Sequence, residues 1–473
     1  MSQDEPLGFV SESGAFDRAS GVIRPDVDIR PGSYLRLRAP SGPDVLVSVR
    51  GVRWGGGVFT TETASYHLRH LDQLEHRAAT TFQLLDLIFI GSLRATGKLD
   101  RRPRSIRAGS AIESLQPAEL SALLELNSAS AVRLGELTSH PGVHVGISAE
   151  ELGSAHLAIV GQTGSGKTNV QRLVRRGLQG IPEARLSYVV FDFHDEFRSS
   201  GVTEQELNPP FAFGPRDLQY EVLAELLPGL SLPQQDLLAV ALDRKPGSID
   251  ALIQAIMSSK GTEASRRVLA RRLNLLDKAR AFSRTDDLAG RVASQVRKPG
   301  HGAILRLGSV QSELAQVFIG SVVRHLMVER MHGGVSRVVL LVDEAHRLMS
   351  PQASQTATRS FRLVAQEGRK FGVTMVLATQ RPSLIDATIL SQCGSFVSLR
   401  LTSEGDSRAV GHAMEVRAAE LSALGVGQGI FRRVGSPDPF WIDFELEKGE
   451  PQSVKEKELR DPSAVRQQQL FDW

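Results

Sequence analysis

The chain has 473 residues, of which 41% are hydrophobic and 23% charged, enough for two or three domains with sizeable cores. No run of about 18 apolar residues occurs, the N-terminus Met1-Ser2-Gln3-Asp4-Glu5 lacks a basic-then-apolar leader, and Cys393 is the single cysteine. These features exclude a disulfide framework and lead us to expect a cytoplasmic chain without a membrane span, while a net charge of +3 permits nucleic-acid binding without requiring it.

Residues 1 to 108 read as short strands forming a small β-barrel. Leu35-Arg36-Leu37-Arg38 alternates apolar and basic residues, Val45 to Val49 is mostly apolar, and Gly32, Pro40, Gly42 and Pro43 supply turns. Leu84 to Leu93 is a further apolar stretch, followed by a basic loop, Arg101-Arg102-Pro103-Arg104. Residues 109 to 150 read as a connecting segment with one helix, Pro117 to Leu126. From 151 to 446 the pattern changes to continuous apolar strands alternating with helices: His156–Val160, Leu186–Phe191, Ala303–Leu307, Val338–Val342, Val373–Thr379 and Phe396–Leu401. That alternation predicts an α/β domain with a mostly parallel sheet covered on both faces. A helical insertion is expected at about 215–295, a hairpin at 429–431 and 440–442, and a polar tail from 447 to 473.

Gly161-Gln162-Thr163-Gly164-Ser165-Gly166-Lys167-Thr168 follows the strand His156–Val160 and opens a helix. Its glycines let backbone N–H groups approach phosphates, and the helix N-terminus favours the anion. Lys167 is expected to reach the β- and γ-phosphates of ATP and Thr168 to ligate Mg²⁺, with Asn169 completing the loop's contacts. The second strand end that matters is Val342-Asp343-Glu344, where Asp343 suits the Mg²⁺ shell and Glu344 suits polarisation of the attacking water. Past the strand Val373–Thr379, Gln380 can sense the γ-phosphate or orient water.

Other residues admit two readings. Arg369, in Glu367-Gly368-Arg369-Lys370-Phe371-Gly372, is a basic helix end or a fork for a γ-phosphate held by a neighbouring subunit. In Asp192-Phe193-His194-Asp195-Glu196, Asp192 and Glu196 could tune a metal or base, and His194 could equally be a satisfied crevice residue. The run Arg266-Arg267-Val268-Leu269-Ala270-Arg271-Arg272 reads first as a solvated face.

Together, His156 to Thr168, Asp192 to Phe197, Val342-Asp343-Glu344-Ala345-His346, Glu367 to Gly372 and Ala378-Thr379-Gln380-Arg381-Pro382 resemble the HerA group of the HerA/FtsK motors. The resemblance spans most of the chain. It implies a RecA-like ATPase core behind an N-terminal β-barrel, a homohexameric ring with double-stranded DNA in its pore, and ATP bound between subunits. It makes Glu344 the catalytic glutamate and Arg369 a finger acting in trans. It also implies an effector docked on the barrel side, such as a NurA-type nuclease in end resection or a sirtuin-type NAD hydrolase in phage defence. An ATP-switched scaffold that activates its effector without translocating, and a peptide or protein translocase, are the alternatives. Asp192-Phe193-His194-Asp195-Glu196-Phe197 departs from the more usual Asp-Pro-His-Gly-Glu-Tyr. Asp343-Glu344-Ala345-His346 also spells the box of DEAH-type RNA helicases, but only about 90 residues follow Gln380, too few for their second RecA-like domain. Loop residues Arg198, Arg347 and Arg359 are candidates for phosphate contacts in the pore. Leu470-Phe471-Asp472-Trp473 is either a docking anchor or a frayed end.

Overall fold

The computed structural model describes residues 6–13, 17–39, 41–56, 81–94, 98–102, 104–126, 131–181, 186–199, 201–283, 287–436 and 438–447. Leu470–Trp473 and most of the expected tail lie outside these residues. The chain divides into two compact units: residues 1–129, 134–146 and 430–444, and residues 130–133, 147–429 and 445–473. Among the described residues, no helix is long and apolar enough to cross a membrane.

The first unit holds strands β1 Gly8–Ser13, β2 Arg18–Ile23, β3 Tyr34–Arg38, β4 Val45–Gly56, β5 Thr81–Leu93, β6 Leu99–Asp100 and β7 Ala111–Glu113. The order β2-β1-β7-β3-β4-β5, with β5 pairing back onto β2, closes a six-stranded antiparallel barrel, and β6 pairs with the end of β5 at Ser92 and Leu93. Alternate residues enter its core, as with Leu35 and Leu37, Val47 and Val49, Leu85 and Leu87. Register shifts in β4 at Leu46/Val47 and Val49/Gly51 supply local bending of the kind that closes a barrel. The closing strand β7 lies beyond residue 108, where the sequence reading ends the barrel, because its pairing to β1 and β3 is long-range and leaves no local signal.

β8 Ala131–Leu137 and β9 His140–Ser148 follow, within what reads in sequence as a connecting segment. The second unit then forms around β10 His156–Val160, β11 Leu186–Asp192, β12 Glu204–Leu207, β13 Gly302–Arg306, β14 Arg337–Val342, β15 Val373–Thr379 and β16 Cys393–Ser398. Their order is β12-β13-β11-β14-β15-β10-β16, with every neighbouring pair parallel. All residues of β10, β11 and β15 are buried, as a sheet covered on both faces demands. Between β12 and β13 lie the expected insertion helices Tyr220–Leu226, Leu232–Leu242, Ile249–Met257, Glu263–Lys278 and Leu288–Gln295.

The last strands, β17 Gln428–Arg432 and β18 Phe440–Phe444, form the expected hairpin. β18 pairs antiparallel with β8, from Ile442↔Leu137 to Phe444↔Gly135. Residues 430–444 therefore group with the first unit and not with the ATPase domain that precedes them in sequence.

Within the first unit, Arg50 of β4 binds Asp438, whose side chain is only 2% exposed, and stacks over the Trp441 ring at 5.3 Å. Burial pushes the Asp438 carboxyl up, opposed by the charges of Arg50 and Arg432. Asp438→Ala leaves the Arg50 charge without its main partner and is expected to lower stability by about 3 kcal/mol. Thermal denaturation checks this; replacing Arg50 and Asp438 together by leucine should recover part of the loss.

Candidate active site

The phosphate loop runs from Gly161 to Gly166 between β10 and the helix Lys167–Gly180. Gly164 (φ 76°) and Gly166 (φ 109°) adopt the left-handed conformation that turns the peptide N–H groups inward, a conformation side chains disfavour. Gly161 is needed for another reason: a Cβ there would stand 2.5 Å from Ser165 Oγ and 2.8 Å from Leu399 Cβ. The loop is tied to both neighbouring strands. Gly161 N donates to Thr379 O at the end of β15 (3.2 Å), and Gln162 N donates to Arg400 O beyond β16 (2.9 Å). Ser165 Oγ donates to Gln162 O at 2.7 Å, closing the loop on itself.

Lys167 is 9% exposed, and its Nζ donates to Gln162 O at 3.2 Å. Burial pulls its pKa down, while Glu344, Asp343 and Glu196 push it back up, so all three carboxylates lie within electrostatic reach of the ammonium. Thr168 is the second residue of the helix. The same helix braces the carboxylate strand, because Gln171 Nε2 donates to Val342 O at 3.2 Å. Asp343 is 5% exposed; burial, then the Glu344 charge, push its pKa up to about 6.

Glu344 has φ 44°, a left-handed conformation in a residue with a long side chain. Gln380 Nε2 donates to Glu344 Oε1 at 3.4 Å, and Thr163 Oγ1 donates to Gln380 Oε1, so Gln380 bridges the loop and the glutamate. His194 Nε2 stands 3.8 Å from Glu344 Oε1, and His346 Nδ1 stands 3.2 Å from Oε2. Oε2 itself is buried and accepts no hydrogen bond.

The structure thus brings Gly161–Thr168, Asp343, Glu344 and Gln380 together, and it treats other sequence candidates differently. The Asn169 side chain faces a chain segment: Nδ2 donates to Glu445 O (2.7 Å) and Oδ1 accepts from Glu447 N (2.9 Å). Asp192 is fully buried and accepts from the backbone N–H groups of His194, Glu196 and Phe197, so it shapes the turn after β11. Asp195 pairs with Arg306 at 3.2 Å. Arg369 is exposed, and its guanidinium donates to Gln392 O at 2.7 Å, just before β16. Its charge acts on His156 and Cys393, which open β10 and β16 at the end remote from the loop.

Of the arginines proposed for DNA, Arg347 and Arg359 have their guanidinium groups engaged within the chain, whereas Arg198 is engaged through its backbone carbonyl. Arg347 lies 4.9 Å over the Phe193 ring, Arg359 pairs with Glu221 at 3.8 Å, and the Arg198 carbonyl accepts from Arg175. Arg266 and Arg272 of the basic helix donate to the carbonyls of Met257, Ser259 and Pro228. Sequence reasoning gave no individual role to Gln171, His346 or Thr379. Their proximity to the site follows from strand order, although His346, two residues past Glu344, was within sight.

A left-handed glycine loop, a lysine and two adjacent carboxylates, Asp343 buried and Glu344 partly so, fit a nucleotide with a divalent cation, since a cation relieves the repulsion between the two acids. Residues 132–326 match the family model of the HerA helicase central domain. The DNA double-strand break repair helicase HerA of Sulfolobus acidocaldarius is 23% identical, with 99% of each chain covered. The HerA repair helicase of Pyrococcus furiosus is 22% identical over 90% of this chain and 89% of its own. Across its central residues and in relatives aligned over nearly the whole chain, the protein is similar to the HerA helicases. Among solved structures, VirB4 of Thermoanaerobacter pseudethanolicus is similar in fold, with a TM-score of 0.52, 16% identity, and coverage of 68% of this chain and 98% of that one. The plasmid coupling protein TrwB, solved with an ATP analogue, gives a TM-score of 0.50 at 14% identity, covering 72% of this chain and 94% of its own. The chain is an ATPase of RecA-like fold.

Gly161→Ala forces its new methyl against Ser165 and Leu399. We expect ATP affinity to fall by about tenfold or more, read by equilibrium titration with a fluorescent ATP analogue. Gly405→Ala, whose added Cβ meets nothing within 4 Å, should leave affinity unchanged.

Proposed function

We propose that this chain is an ATP-driven double-stranded DNA translocase that works as a homohexameric ring in the cytoplasm. It feeds a nuclease or other effector protein in DNA end processing or anti-phage defence. The curated relatives of nearly equal length, named as DNA double-strand break repair helicases, support a DNA motor.

In this reading the loop amides and Lys167 hold the β- and γ-phosphates, and Thr168 and Asp343 hold Mg²⁺. A cation held by these two residues would neutralise the charge that develops on the phosphates during hydrolysis. Glu344 accepts a hydrogen bond from the attacking water and polarises it. Gln380, already bridging Thr163 and Glu344, reports whether the γ-phosphate is present.

The position of Arg369 is the observation that carries the ring. Thr379, at the end of β15, receives the loop's first N–H, whereas Arg369 precedes Val373 at the strand's start. The seven residues of β15 span about 20 Å. An arginine at the far end of that strand cannot reach phosphates on its own loop. Its exposed guanidinium is available to a phosphate bound by another copy.

Duplex-stimulated ATP turnover in mixed rings tests this. Arg369→Ala and Lys167→Ala should each bring turnover to background, the first with ATP binding intact, and mixing the two should restore part of it. Absence of rescue removes the trans assignment. A strictly monomeric particle in mass photometry, or turnover indifferent to long duplex DNA, overturns the translocating ring.

The Asp343 carboxyl, raised to about 6, gives a second test. Below that pH it is protonated in the free site, and Mg²⁺ must displace the proton; above it the carboxylate is ready for the cation. Mg²⁺-dependent turnover should therefore weaken as pH falls from 7 to 5, and about tenfold more Mg²⁺ should offset the whole of that fall. A profile that Mg²⁺ concentration does not move speaks against Asp343 as the ligand.

A further inference from the structure

Glu344 does its work only if its carboxylate is held at one place, and the backbone alone does not hold it. A left-handed φ of 44° fixes where the side chain leaves the chain, yet three rotatable bonds remain beyond it. On one side, Gln380 donates to Oε1 at 3.4 Å, near the weak end of the hydrogen-bonding range. On the other side, Oε2 is buried and accepts no hydrogen bond. A buried carboxylate oxygen without a donor is costly, so a donor close by is significant.

That donor is at hand. His346 Nδ1 lies 3.2 Å from Glu344 Oε2, and the ring is only 17% exposed. The distance suits a hydrogen bond, and a small rotation of the ring brings N–H and oxygen into line. The same Nδ1 lies 3.3 Å from Thr379 Oγ1, whose oxygen also accepts from Arg381 N at 3.0 Å. Thr379 is fully buried at the end of β15, where its carbonyl receives the loop's Gly161 N–H. His346 therefore stands between the glutamate and the strand end to which the phosphate loop is tied.

We propose that His346 is a positioning residue for Glu344: its Nδ1–H is shared between Glu344 Oε2 and Thr379 Oγ1, holding the carboxylate with Oε1 turned to the water. This rests on Glu344 being the residue that polarises water. Burial, joined by the charges of Arg381, Arg347 and Lys167, pulls the His346 pKa down against the pull of Glu344. The ring is thereby kept neutral with one N–H to place, and a donor-less Oε2 draws that proton to Nδ1. Lys167 and Asp343 also act on the carboxylate through their charges, and the second imidazole facing it is His194, 3.8 Å from Oε1 and half exposed, which leaves Oε2 to His346.

The experiment compares steady-state ATP turnover of His346→Ala, His346→Asn and His346→Gln in the full chain with duplex DNA. In asparagine the amide nitrogen occupies nearly the place of Nδ1; in glutamine it sits one bond further out. His346→Ala should lower kcat by about tenfold to a hundredfold with KM for ATP within about threefold, since ATP binding does not pass through Glu344. His346→Asn should recover most of kcat, and His346→Gln should not. An alanine variant with wild-type kcat overturns the proposal. So does equal recovery by asparagine and glutamine, or a loss of kcat in all three that follows a loss of melting temperature. Glu344→Gln run alongside separates the two readings. If it still turns ATP over, the role of Glu344 fails; if it is inactive while His346→Ala is not, only the role of His346 fails.

Discussion

The hydrogen bond from Gly161 N to Thr379 O is the constraint on which the site depends. It exists because β10 and β15 are adjacent and parallel, with Val160 beside Thr379 in register. Parallel pairing puts the C-terminal ends of β10, β14 and β15 on one edge, so the loop after β10, the carboxylates after β14 and Gln380 after β15 meet without any long side chain reaching across. A one-residue slip would turn every side chain of a strand to its other face. Uniform burial of β10 and β15 makes such a slip expensive, so a fully apolar pair of strands is what aligns a polar site.

The site holds more polar and charged atoms than its burial tolerates cheaply. Asp343 is raised, Lys167 is lowered, and Glu344 Oε2 lacks a donor. These are three expressions of one shortage: water has been excluded, and the protein supplies only part of what replaces it. A nucleotide triphosphate with its cation brings the complementary charges, positive for Asp343 and negative for Lys167. Strain at Glu344 belongs to the same account, since a left-handed non-glycine residue persists only where its surroundings over-determine it. Here the surroundings are Gln380, His346 and Thr379, each at or just beyond a strand end.

Legibility in the sequence followed the range of the determining interactions. β10 and β15 could be bounded to the residue because a continuous apolar run is a local signal. The phosphate loop, Asp343-Glu344 and Gln380 were legible because a strand end in a parallel sheet predicts which way polar residues face. β12 was not: its sequence Glu204-Gln205-Glu206-Leu207 lacks an apolar run, and it lies at the sheet edge, where polar residues are tolerated. The closing of the barrel by β7 and the pairing of β18 with β8 were equally hidden, since both join residues far apart in sequence. Asn169 shows the same limit in the site. Adjacent to Thr168, it reads as a nucleotide contact, yet its amide meets the backbone of Glu445 and Glu447. Proximity along the chain indicated the neighbourhood but not the partner.

Strand β15 also gives the molecule a direction. Its C-terminal end carries Thr379 and Gln380 against the phosphate loop. Its N-terminal end is preceded by a turn of π-helix, Val364–Gly368, and then by Arg369. Gly368 is required there, because a Cβ would stand 2.3 Å from Val373 O. The helix thus comes down hard on the start of the strand, and Arg369 leaves it at a fixed place, anchored on Gln392 O. In the proposed ring, the two ends of one strand carry complementary halves of phosphate chemistry that do not meet within a single chain. There, movement of the Arg369 contact would be transmitted along β15 to Gln380 and the loop. A strand with every residue buried is stiff enough to do so, whereas a surface loop joining the same residues would absorb the motion.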